Sequence, residues 1–85
     1  MISAETPVYL SVVIPCYNLG STIEETLASL RESSVAPSRI VVIDDGSTDP
    51  ETQAVLDRLA AEVELVRTPN RGLAAARNRG AALLD

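Results

Sequence analysis

The side chains best suited to chemistry fall in three short stretches: Pro15-Cys16-Tyr17-Asn18, Asp44-Asp45-Gly46-Ser47-Thr48-Asp49, and Asn70-Arg71-Gly72 running on to Arg77 and Arg79. Asp44 and Asp45 are adjacent carboxylates, which repel one another when both are ionised and accept N–H donors strongly. Asp45 is expected to accept N–H groups of a bound base or sugar. Asp44 and Asp49 suit the turn that follows, with Asp49 as a helix cap. Two carboxylates are too few oxygens to hold a hard cation alone. Gly46 marks a tight turn or a close backbone approach. Tyr17 has no neighbouring aromatic to pack against and offers a flat face on which a nucleobase can stack. Asn18 reads as a residue that ties its own loop together. Arg71 can reach a phosphate, and Arg77 either joins it or braces the Asp44–Asp45 loop. Arg79 reads as a plain solvent-facing charge; any of the three taken alone would pass for one. The chain contains neither G-x-G-x-x-G nor G-x-x-x-x-G-K-[ST], so a dinucleotide cradle and a P-loop are both disfavoured.

Composition narrows the field. The 85 residues carry seven basic and twelve acidic side chains, a net charge of −5, which argues against nucleic acid or an anionic membrane as partner. Cys16 is the single cysteine and there is no histidine, so an intrachain disulfide is impossible and a zinc site lacks ligands. With no histidine to activate its thiol, Cys16 suits a small buried apolar position. No apolar run approaches the roughly 20 residues of a membrane span. Residues 1–7 carry Glu5 and no basic segment, which excludes a secretory signal and suggests a flexible N-terminus in a cytoplasmic protein.

The elements that must position these residues follow from periodicity. Residues 40–43, Ile-Val-Val-Ile, are apolar at every position, as a strand buried on both faces of a parallel sheet requires. The carboxylates then fall at its C-terminal end, where open α/β sheets bind ligands. Residues 8–14 form a first strand ending at Pro15, 39–43 the second, and 63–67 a shorter third. Ser21 with Glu24, and Thr48 with Glu51, read as capping boxes that open two amphipathic helices, to about residues 34 and 61. Residues 73–84 form a third helix with Gly80 as a weak point. The order is βαβαβα, a three-layer α/β fold around a parallel sheet of about three strands, Rossmann-like in character. Its right-handed crossovers bring all three strand-to-helix loops to one edge.

V-V-I-P-C-Y-N at 12–18, V-V-I-D-D-G-S-T-D at 41–49 and N-R-G-L-A-A-A-R-N-R-G at 70–80 resemble the N-terminal, nucleotide-binding half of a family 2 glycosyltransferase with a GT-A fold. The resemblance runs from Val8 to Asp85 and makes the chain a single partial domain. It implies a nucleotide-diphosphate-sugar donor, with UDP-sugar favoured, and inverting transfer. Pro15 and Tyr17 would line the base pocket and Asp45 would accept the base's ring N–H. Asp44 and Gly46 would shape the loop, and Arg71 and Arg77 would face the diphosphate or brace the site. The family's D-x-D, which holds Mg²⁺ or Mn²⁺, is absent from the 85 residues, as is a catalytic base. No cofactor is therefore expected within this chain, and transferase activity is expected only of a longer parent. Two other readings compete with this one. The chain could be a non-catalytic module that self-associates through an open sheet edge. It could also be a flavodoxin- or receiver-like domain whose acidic pair binds Mg²⁺.

Overall fold

The computed structural model describes residues 10–34 and 37–84. It has the expected βαβαβα order: β1 (Ser11–Cys16), α1 (Gly20–Glu32), β2 (Arg39–Asp45), α2 (Pro50–Leu59), β3 (Glu64–Thr68) and α3 (Leu73–Leu84). The sheet is parallel with β2 in the centre, pairing Val13 with Val41, Ile43 with Val66, and Asp45 with Thr68. The central position explains the unbroken apolar run: Val41, Val42 and Ile43 are fully buried.

Side chains of successive strand residues point to opposite faces. Val42 therefore joins Cys16, Ile23, Leu27, Val55, Leu56 and Leu59 beneath α1 and α2. Val41 and Ile43 meet Ala76 of α3 on the other face, with Val13, Val66 and Leu84 around them. Cys16 lies in the first core, as its surroundings in the sequence suggested, and burial raises its thiol pKa above the usual value.

Several boundaries differ from expectation. β1 does not stop before Pro15 but carries it, opposite Ile43, to Cys16. An edge strand tolerates a proline because one of its two sides has no ladder to complete. Residues 8 and 9 of the expected strand, and the N-terminal residues 1–7, lie outside the described residues. β2 runs two residues past Ile43, so both carboxylates belong to the strand. α2 ends at Leu59 and β3 begins one residue late, at Glu64. Neither anticipated capping box forms. α1 begins at Gly20 after Leu19, which makes no side-chain cap. The Gly20 N–H instead donates to Thr52 Oγ1 of α2 at 3.1 Å. α2 is capped by Asp49, whose carboxylate accepts from Thr52 N at 3.1 Å, while Thr48 N donates to Asn18 Oδ1.

The two ends of β2 hold the two ends of α3. Arg39, the first residue of β2, donates from Nη1 to the Leu83 carbonyl at 3.2 Å. Asp45, the last, accepts from the Arg71 and Gly72 N–H groups just ahead of α3. At about 3.3 Å per step of strand and 1.5 Å per step of helix, β2 spans roughly 20 Å and α3 roughly 17 Å, so the two are comparable in length. A carboxylate at the helix start and a guanidinium at its end also complement the helix dipole. Between these clasps α3 crosses β1 and β2 closely. Gly80 is the point of contact rather than a weak point: a Cβ there would overlap Val13 Cγ1.

Candidate functional site

The site is built from the loops that leave the C-terminal ends of the three strands. Because Asp44 and Asp45 are consecutive in a strand, their side chains leave opposite faces of the sheet. Asp44 turns towards α2 and its Oδ1 accepts the Ser47 N–H at 3.0 Å, closing the turn at Gly46. Asp45 turns towards α3, where its two oxygens accept Arg71 N at 2.8 Å and Gly72 N at 2.9 Å. Both carboxylates are buried, Asp45 to 1% exposure. Splayed to opposite faces of the sheet, they do not fit a divalent cation as a pair. Among the described residues no cluster of three or more Asp, Glu, Cys or His could hold a metal.

The loops are also tied to one another. Asn18 sits in the left-handed region, φ 52°, and its side chain reaches across to the β2–α2 loop. Its Oδ1 accepts from both Thr48 N and Asp49 N at 2.9 Å, and its own N–H donates to Ser47 Oγ at 3.0 Å. The expectation that Asn18 ties only its own loop is thus corrected: it latches one loop to the next. On the other side Asn70 Nδ2 donates to the Asp45 carbonyl at 3.2 Å. Gly46, φ 72°, lies so close beneath this loop that a Cβ would stand 2.7 Å from Asn70 N. A left-handed turn and a close approach coincide there, and both call for glycine.

The remaining site candidates divide by position. Pro15 is half-buried at the end of β1, and Tyr17 follows in the loop with 37% exposure. Arg71 lies at the start of a cleft of about 620 Å³ between the end of β3 and α3, which Asp45, Thr68, Asn78 and Arg79 also line. Arg77 is not on that cleft. Two residues along a helix turn about 200°, so Arg77 and Arg79 lie on opposite flanks of α3. Arg79, which the sequence suggested was plain surface, is the one that faces the cleft. Arg31, Arg39, Arg58 and Arg67 are each ion-paired, whereas Arg71, Arg77 and Arg79 have no ion pair among the described residues. No helix among the described residues is long and apolar enough to cross a membrane.

Comparison with known proteins agrees with this geometry. The family model described as glycosyl transferase family 2 matches residues 11–85. Validoxylamine A glucosyltransferase of Streptomyces hygroscopicus subsp. limoneus is 40% identical over 79 residues, covering 87% of this chain and 17% of that protein. The succinoglycan biosynthesis protein ExoA of Rhizobium meliloti is 42% identical over 77 residues, covering 86% of the chain and 23% of the relative. The uncharacterized glycosyltransferase YibD of Escherichia coli is 37% identical over 75 residues, covering 84% and 21%. The chain thus spans about a fifth of the length of the curated relatives it matches. A family model matched over nearly all of the described residues, together with three interlocked loops at one sheet edge, leads to one assignment: the chain belongs to glycosyl transferase family 2.

Proposed function

We propose that this chain recognises the nucleotide of a nucleotide-diphosphate-sugar donor, a UDP-sugar foremost, on behalf of an inverting glycosyltransferase. The observation that carries this reading is the hydrogen-bonded interlock of the three strand-end loops, which fixes Tyr17, Asp45 and Arg71 on one rigid edge. Tyr17 stacks against the base beside Pro15. Asp45 accepts the ring N–H through lone pairs left over after one backbone bond per oxygen. Asp44 and Gly46 hold the turn, the Arg71 guanidinium meets the diphosphate, and Arg77 braces the site from the other flank of α3. In the transfer itself an acceptor hydroxyl attacks the anomeric carbon, a base takes its proton and the nucleoside diphosphate departs. Asp44 and Asp45 are placed to bind neither a divalent cation nor the acceptor, so the chain by itself binds donor nucleotide without transferring sugar.

Calorimetric titration with UDP tests the reading. Tyr17→Ala should weaken binding by about 1–3 kcal/mol, the worth of one base stacked on an aromatic ring. Asp45→Asn should weaken it as well, since one acceptor becomes a donor facing other donors. Unchanged affinity in both variants would overturn the assignment. Silence towards UDP, with a mass that rises with concentration, would favour self-association through the open edges of β1 and β3 instead.

A further inference from the structure

We propose that the cleft between the C-terminal end of β3 and α3 binds a phosphate-bearing ligand through Arg71 and Arg79. The inference shares Arg71 with the donor reading and goes beyond it in Arg79, on a cleft that lies on the flank of α3 opposite Arg77 and excludes Pro15 and Tyr17.

Charge pairing makes the first part of the argument. Every arginine between residues 10 and 68 has a carboxylate partner. Residues 69–84 hold three arginines and no acid, in a chain whose net charge is −5. Positive charge with no ion pair among the described residues, on the walls of a concave surface in an acidic protein, attracts anions from solution. The one carboxylate on the cleft is Asp45, and it does not neutralise those guanidinium groups. Its oxygens are engaged by the Arg71 and Gly72 N–H groups, and it forms no ion pair with either arginine.

Shape makes the second part. Arg71, in the loop ahead of α3, and Arg79, within the helix, both line the cleft, together with the small side chains of Ala75 and Ala76. Asn78 on the same flank and Thr68 at the end of β3 add neutral hydrogen-bonding groups at the wall. Two guanidinium groups lining one cleft suit the several oxygens of a phosphate or diphosphate better than a single carboxylate. The phosphates could belong to the donor nucleotide or to a separate phosphorylated ligand, and the chemistry of capture is the same.

The test uses the whole chain with inorganic pyrophosphate, followed through the Nε–Hε resonances of Arg71 and Arg79. Saturable shifts of both are expected, exceeding those produced by chloride at matched ionic strength. Arg79→Gln should bind pyrophosphate about tenfold more weakly, as loss of one charged hydrogen-bonding partner implies. Arg31→Gln, which removes a cation paired with Glu62 away from the cleft, should leave the affinity unchanged. Shifts no larger than with chloride would overturn the proposal, as would unaltered affinity in both Arg71→Gln and Arg79→Gln. Competition by UDP but not uridine, weakened in Arg79→Gln, assigns the site to nucleotide phosphates. Pyrophosphate that stays bound in the presence of UDP assigns it to a separate phosphorylated ligand; both outcomes support the cleft. Tyr17→Ala separates the two readings, because it should affect UDP and leave pyrophosphate untouched.

Discussion

Asp49 accepts two hydrogen bonds from Thr52, from the hydroxyl at 2.7 Å and from the backbone N–H at 3.1 Å. These donors, the hydroxyl first, hold its pKa below the ordinary carboxylate value. A carboxylate whose pKa is lower in the folded state contributes stability above its unfolded pKa and loses it as pH falls through the folded one. Asp49→Ala should therefore melt at a lower temperature than the parent chain at neutral pH. The gap should shrink as pH falls below about 3.9, the ordinary value for Asp. Thermal melts across that range check the point, and a gap that persists undiminished in acid would show that charge is not its origin. The substitution reaches beyond α2, because the same Thr52 hydroxyl receives the Gly20 N–H that begins α1.

At the scale of elements, the close seating of α3 on β1 rests on Gly80. Alanine favours a helix interior over glycine by about 1 kcal/mol, but a Cβ at position 80 would collide with Val13. Overpacking of this kind costs about 1–3 kcal/mol, so Gly80→Ala should destabilise the chain in chemical denaturation. Val13→Ala should relieve part of that cost, leaving the double variant more stable than the two single effects predict when added. Glycine was visible in the sequence as a flaw in a helix; only the packing makes it a requirement. The strands, helices and their order were legible because Ile40 to Ile43 and the Ile23, Leu27 and Leu30 spacing are strong periodic signals. The caps were not. Ser21 and Thr48 satisfy a local pattern, but the donors at those helix starts went to Thr52 and Asn18, residues some thirty positions away. The site shows the same limit. Asp45 and Arg71 were legible by type and loop position, whereas the latch by Asn18 and the cleft position of Arg79 depend on which loops meet.

Taken as a whole, the molecule concentrates its polar long-range bonds at the C-terminal edge of the sheet. Asn18 joins the first loop to the second, and Asp45 and Asn70 join the second to the third. None of these loops can lift away without breaking bonds to its neighbour. The clasp that Asp45 makes on Arg71 and Gly72 therefore has a signature in time. Amides in an exposed loop ordinarily exchange their hydrogens with solvent readily, because local opening costs little free energy. The Arg71 and Gly72 amides, although their residues are exposed, are bonded to a carboxylate that is 1% exposed. They should exchange far more slowly than the loop's other amides, and at a rate shared with Thr48 and Asp49, as members of one opening unit. Deuterium exchange followed residue by residue would read that common rate, and Asn18→Ala should quicken it on both sides of β2 at once.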